Sequence, residues 1–130
     1  MAIRILLVDD HELLRQGVRM LLEENPAFMV CGEAENGKEA VAKVLELKPD
    51  VVVMDISMPV MNGIDAVKLI RLQCSLTKIV MLTTHHHSLL AQEAMRAGAN
   101  GFVHKSETAD ELRKAIMAVL EAPKVNYARL

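Results

Sequence analysis

"VVVMDISMP", residues 51 to 59, sets four apolar side chains in a row, ends them on an aspartate and reaches a proline soon after. A short run rich in branched residues and closed by turn formers reads as a strand. Because it is apolar at consecutive positions rather than alternate ones, it reads as a strand buried on both faces, the kind found in parallel sheets covered by helices. A dry strand that ends on a bare carboxylate needs a reason. That reason has to come from what the other strands bring to the same rim.

Elsewhere in the chain the same kind of run recurs as "IRILLV" (3 to 8), "FMVCGEA" (28 to 34), "KIVMLT" (78 to 83) and "GFVH" (101 to 104). Helical periodicity separates them. "HELLRQGVRMLLEE" (11 to 24) places Leu14, Val18, Leu21 and Leu22 on one face and stops at Asn25 and Pro26. "NGKEAVAKVLELK" (36 to 48) ends before Pro49, "GIDAVKLIRLQC" spans 63 to 74, and "SLLAQEAMRA" (88 to 97) is closed by Gly98. "TADELRKAIMAVLE" (108 to 121) opens with Thr108 three residues before Glu111, the spacing of a capping box. Five strand-helix units with right-handed crossovers make a doubly wound α/β sandwich, whose binding crevice lies at the carboxyl ends of the strands. Residues 1 to 121 form this domain, and "APKVNYARL" (122 to 130) is a tail or the start of a linker.

The 130 residues are enough for one domain with one core. With 52% hydrophobic residues, no Trp, one Tyr, two Phe and nine Met, that core is expected to be aliphatic with Met as gap-filler. A formal charge of −2 leaves no footprint for direct nucleic-acid contact, and no basic cluster points to a membrane surface. The N-terminal apolar run is too short for a signal peptide or a span, so a cytoplasmic location is expected. Cys31 and Cys74, without metal or CxxC spacing, read as small buried residues.

The carboxyl ends of the strands carry Asp9 and Asp10 after the first, Asp55 after the third, Thr83 and Thr84 after the fourth, and Lys105 after the fifth. If the first and third strands are neighbours, three carboxylates converge, and each pair at about 4 Å repels by roughly 4 kcal/mol at an effective dielectric of 20. Such a cluster calls for a cation. Oxygen donors without Cys or His favour Mg²⁺ over zinc, and Lys105 adds a fixed positive charge. An ion, an ammonium and a hydroxyl around one carboxylate would clamp a phosphoryl group, with Asp55 as the in-line nucleophile. Taken singly, each residue has a plainer role. Asp10 could cap the first helix, Asp55 close an Asx-turn to Ser57, the threonines cap a helix, Lys105 sit in solvent and Phe102 belong to the core. Their joint placement at one end of one sheet favours the site.

"LLVDDH" (6 to 11), "VVVMDISMPVMNG" (51 to 63), "VMLTT" (80 to 84) and "AGANGFVHKS" (97 to 106) together resemble, in order and spacing, the receiver domain of bacterial two-component response regulators. "DDHELLRQGVRMLL" further resembles the subfamily usually joined to a LuxR-type helix-turn-helix domain. The resemblance implies a flavodoxin-like (βα)5 sandwich with strand order 2-1-3-4-5. It implies that Asp55 accepts a phosphoryl group from a sensor histidine kinase. Mg²⁺ would be held by Asp10, Asp55 and the backbone carbonyl of Ser57, with Asp9 acting through metal-bound water. Thr83 and Lys105 would engage the phosphoryl group, and Phe102 occupies the switch-aromatic position. Ser57 and His85, two residues beyond Asp55 and Thr83, would tune how long the phosphoryl group survives. The fourth helix, fifth strand and fifth helix would form the face that controls an output such as transcription. Catalysis would be limited to the domain's own phosphorylation and slow autodephosphorylation, and homodimerisation on phosphorylation is left open. Ser106 stands where the family most often has proline, so the cis bond often found after the lysine is not implied.

Two rival functions fit less well. Aspartyl-phosphate phosphohydrolases resemble a DxD pattern whose second Asp is Ser57 here, and a flavin phosphate would be repelled by Asp9 and Asp10. "HHH" at 85 to 87 cannot aim three imidazoles at one point from a helix, so it reads as a polar helix start rather than a zinc site.

Overall fold

A computed structural model of the chain describes residues 2 to 83, 88 to 105 and 109 to 121. Strands β1 (Ile3–Val8), β2 (Phe28–Ala34), β3 (Val51–Asp55), β4 (Lys78–Thr83) and β5 (Gly101–His104) alternate with helices α1 (Glu12–Glu23), α2 (Gly37–Leu47), α3 (Gly63–Gln73), α4 (Ser88–Ala97) and α5 (Ala109–Glu121). All five strands are parallel, in the order β2-β1-β3-β4-β5. The chain moves outward from β1 to β2 and returns to the other side of β1 for β3. The topological switch point therefore lies between the carboxyl ends of β1 and β3.

The consecutive apolar runs are explained by the two layers they face. Leu6, Val8, Val52, Met54, Ile79 and Met81 pack with residues of α2, α3 and α4 such as Val44, Val67 and Ile70. Ile5, Leu7, Val53, Val80, Leu82 and Val103 pack on the other face against Leu22, Leu112 and Ile116 of α1 and α5. Apart from Phe28 these residues are aliphatic or Met. At the amino ends of α2 and α3, Asn36 accepts from the Glu39 amide and Asn62 from the Asp65 amide, each at 2.9 Å, satisfying backbone donors that no helical carbonyl can reach. The capping box expected at Thr108 lies outside the described residues. No described helix is long and apolar enough to cross a membrane.

Two expectations are corrected. The apolar stripe of α1 is only half used: Leu22 is buried and Val18 packs beneath it, but Leu14 and Leu21 remain 40% and 42% exposed. The helix is turned so that Arg15 faces inward to polar partners on β2 and on the loop after β1, which rotates those leucines toward a shallow cleft shared with Leu82, Val103 and Leu112. Cys31 and Cys74 are half-buried rather than buried, and the Cys74 sulfur lies 2.8 Å from the Thr77 hydroxyl.

Gly17 sits in the interior of α1, and a Cβ there would meet nothing within 4 Å. Glycine in a helix interior costs about 1 kcal/mol relative to alanine, because its backbone has more freedom to lose. Gly17→Ala is therefore expected to stabilise the fold by about that amount, raising the melting temperature by roughly 3–5 °C for a domain of this size. A calorimetric scan checks it, and a lowered melting point would mean that this stretch of α1 is not an ordinary helix.

Candidate functional site

Asp55 is the last residue of β3, and only 4% of it is exposed. One oxygen accepts a hydrogen bond from Lys105 Nζ at 2.8 Å, and the other accepts from the Ser57 amide at 3.3 Å. The Asx-turn to Ser57 and the pairing with Lys105 thus coexist, one carboxylate oxygen serving each. Ser57 itself is exposed, leaving the approach to Asp55 open on that side.

Strand register delivers the remaining acids. Val8 pairs with Met54, so the next residue of each strand, Asp9 and Asp55, leave the sheet side by side. Asp9 is buried. Its amide donates to the Ala34 carbonyl at 3.0 Å, its Oδ1 accepts from the His11 amide at 2.9 Å, and its Oδ2 lies 3.0 Å from Lys105 Nζ. That Oδ2 has the ion pair but accepts no hydrogen bond among the described residues. The ligand atoms of Asp9, Asp10, His11 and Asp55 all lie within 4.8 Å of one another.

Asp10 does not cap α1. The N-cap residue is His11, which makes no side-chain capping bond, so the Asp10 carboxylate stays available to the acidic site. His11 corrects a second expectation, that no histidine joins the donor set. Its Nδ1 lies 3.3 Å from an oxygen of each of Asp9 and Asp10. Acids, hydroxyls and lysine at strand ends did not point to it. The signal was its place directly after the two aspartates.

Thr83 closes β4, is buried, and its carbonyl accepts from the Lys105 amide at 2.8 Å, tying the ends of β4 and β5 together. Lys105 is no solvated surface charge. Its side chain is one-tenth exposed and spans Asp9 and Asp55. Burial is the strongest influence on Asp55 and raises its pKa. Lys105 pulls it back, Asp9 repels, and the net displacement is upward. Burial disfavours the Lys105 ammonium as well, but its contacts with Asp55 and Asp9 outweigh that and raise its pKa.

Three carboxylates against one ammonium leave two negative charges in a mostly buried space. The donors are hard oxygens, and one of them, Asp9 Oδ2, is short of partners. This set fits a Mg²⁺ ion, with the exposed imidazole a nitrogen that a hard cation does not require.

Phe102 departs from the core reading. It is 45% exposed on β5, an edge strand, beside Ala91 and Met95 of α4, with its ring edge-on to His104 at 6.4 Å between centroids. Val103, the next residue, takes the inward position against α5. His85, Thr84, the rest of the histidine run and the Lys105–Ser106 bond lie outside the described residues.

Sequence reasoning also missed Arg15, because an arginine on a helix ordinarily lies in solvent. Here it is buried, with Nη1 2.6 Å from the Asp9 carbonyl and Nε 2.8 Å from Glu33.

The chain matches the model of the response regulator receiver domain over residues 5–117. It is 43% identical over 117 residues to the transcriptional regulatory protein LnrK of Bacillus subtilis (strain 168), a match covering 90% of this chain and 53% of that protein. It is 42% identical over 117 residues to the response regulator UvrY of Escherichia coli (strain K12), covering 90% and 54%. The chain thus spans about half the length of both relatives. Among solved structures it superposes on a LuxR-family two-component response regulator from Aurantimonas sp. SI85-9A1 with a TM-score of 0.90 and 39% identity, covering 99% of this chain and 94% of that one.

Proposed function

The chain belongs to the response regulator receiver domain family, a family of signalling domains, and on that footing we propose that Asp55 accepts a phosphoryl group from a sensor histidine kinase with the help of Mg²⁺. The observation that carries this reading is Lys105 Nζ, just past the end of β5, lying 2.8 Å from Asp55 at the end of β3 and 3.0 Å from Asp9.

An oxygen of Asp55 attacks phosphorus in line while the bond from phosphorus to the kinase's imidazole nitrogen breaks. The electron pair stays on that nitrogen, and the product is an acyl phosphate. Asp10, Asp55 and the Ser57 backbone carbonyl would hold Mg²⁺, with Asp9 acting through water. The ion, when bound, supplies positive charge against the phosphoryl oxygens and the carboxylates. Lys105, already on Asp55, transfers its hydrogen bond to the phosphoryl oxygens, and the Thr83 hydroxyl donates to another. The exposed Ser57 leaves room for both donor and hydrolytic water, and with His85 it would tune the phosphoryl lifetime.

Phosphorylation replaces one negative charge by roughly −1.5 to −2 and adds acceptor oxygens, which favours drawing Thr83 toward the site. Phe102, outward here, would follow into the space vacated. The face of α4, β5 and α5, with exposed Leu89, Met95, Phe102 and Met117, would then pass the state on, to transcription or through a homodimer. We place the domain at residues 1 to 121 in the cytoplasm, and read 122 to 130 as a tail or the start of a linker. Catalysis is confined to the domain's own phosphorylation and slow autodephosphorylation.

Incubation with acetyl phosphate and Mg²⁺ should add the mass of one phosphoryl group, removable by hydroxylamine as an acyl phosphate is. Excess EDTA should prevent the gain. Equal incorporation in EDTA, or a hydroxylamine-resistant phosphate, would overturn the proposal.

A further inference from the structure

We propose that Arg15 is a positioning residue for the acidic site: aimed by Glu33, its guanidinium grips the main chain at Asp9 and so presents Asp9 and Asp10 to a divalent cation. The inference rests on the Mg²⁺ reading above and asks how this chain holds its ligands in place.

Only Asp9, Asp10 and His11 connect β1 to α1, so the direction of both carboxylates depends on how this short loop is fixed. Asp9 is gripped from two sides. Its amide is bound to Ala34 of β2, and its carbonyl accepts from Arg15 Nη1 at 2.6 Å. Asp10 follows that carbonyl directly, so a rotation of the peptide after Asp9 would swing the Asp10 carboxylate away.

Arg15 is itself aimed. Its Nε donates to Glu33 Oε1 at 2.8 Å, while Glu33 Oε2 accepts from Arg19 Nη1 at 2.8 Å and the Glu33 carbonyl accepts from Lys43. Two donors at the fixed angle of one planar guanidinium serve a carboxylate on β2 and a carbonyl on the loop. A lysine ammonium lacks that geometry.

The sign of the effect separates positioning from simple electrostatics. Arg15 touches the carbonyl of Asp9 and not the carboxylates of the site. Acting only through its charge, it would repel a cation, and its removal would tighten Mg²⁺ binding. Acting through geometry, its removal weakens binding. Outer-shell partners of metal ligands typically carry 10- to 100-fold in affinity.

The test is an Mg²⁺ titration of the full chain followed by backbone amide NMR shifts of residues 9 to 11. Arg15→Met should raise the Mg²⁺ dissociation constant about tenfold. Arg19→Met, which removes the other partner of the Glu33 carboxylate but no contact with Asp9, should leave it unchanged. The dispersion of the remaining spectrum in EDTA reports whether each variant is folded. If Arg15→Met is not, Arg15→Lys decides, because it keeps the charge and loses the fork, with a smaller weakening expected. Unchanged or tighter Mg²⁺ binding in the folded variant overturns the positioning role alone, as does an equal loss in Arg19→Met. Absence of saturable Mg²⁺ binding in the parent overturns the metal reading, and this inference with it.

Discussion

Asp55→Ala is expected to take up no phosphate from acetyl phosphate and Mg²⁺ under conditions that add one phosphoryl group to the parent. The loss should be complete, because the substitution removes the proposed nucleophile and leaves no substitute on the same mount. Asp9 is buried with one oxygen bound to the His11 amide and the other paired to Lys105, and Ser57 is a weak hydroxyl nucleophile with no base placed beside it among the described contacts. Intact-mass measurement reads the result. Undiminished incorporation would move the acceptor elsewhere.

The same position makes a stability prediction whose sign follows from its pKa. Asp55 is raised above the ordinary 3.8, mainly by burial. Between the unfolded and folded values the native state holds more protons than the unfolded chain, so stability falls as pH rises through that window. Above it the full penalty of the ionised group is present. The near-isosteric Asp55→Asn should therefore melt higher than the parent at pH 7 in EDTA. Its advantage should shrink as pH falls through that window toward 3.8, because the parent's carboxyl takes up its proton in the folded state before it does in the unfolded chain. Saturating Mg²⁺, which has one more carboxylate to neutralise in the parent than in the variant, should narrow the gap from the parent's side. A variant no more stable than the parent at pH 7 would mean that Lys105 already outweighs the burial of Asp55.

Gly63→Ala carries the second large effect. Gly63 starts α3, and its amide donates to the Ile56 carbonyl at 2.8 Å. A Cβ at this position would overlap the Asp55 carbonyl oxygen and lie 3.0 Å from the Ile56 Cα and 2.9 Å from the Met81 terminal methyl. The first two are backbone atoms of the segment that holds the proposed acceptor, so they cannot swing aside as a side chain would. Overpacking against backbone costs about 3 kcal/mol, a fall of roughly 10 °C in melting temperature. Because the displaced carbonyl belongs to Asp55, the fraction that still folds should also phosphorylate more slowly. The contrast with Gly17→Ala, where the added methyl meets open space, makes the two variants a matched pair. A Gly63→Ala chain melting within a degree of the parent would show that α3 can slide on β3 at little expense.

The strands were legible to the residue, and each helix to within one residue at either end, the central strands for the plainest reason. A parallel strand buried on both faces must be apolar throughout, so "VVVMD" and "KIVMLT" announce their own limits. Asp55, its acidic neighbours, Thr83 and Lys105 were legible because the fold brings strand ends to one rim, so that naming the residues at the end of each strand amounts to naming the candidate site.

Other features had no local signal. Helical periodicity identifies α1 but leaves open its rotation about its own axis. That rotation is decided by Arg15 finding Glu33, 18 residues away on β2, and the Asp9 carbonyl. Phe102 is apolar by type and exposed by place, because β5 is an edge strand and α4 covers it only in part. The order of elements and the chemical groups that meet at the rim could be read from the residues alone, since both follow from hydrophobic period and connectivity. That Lys105 bridges Asp9 and Asp55, that His11 joins the acids and that Arg15 holds their loop emerged only once the chain was folded. Those contacts are set by side-chain directions and by distances of a few ångströms, which no local pattern encodes.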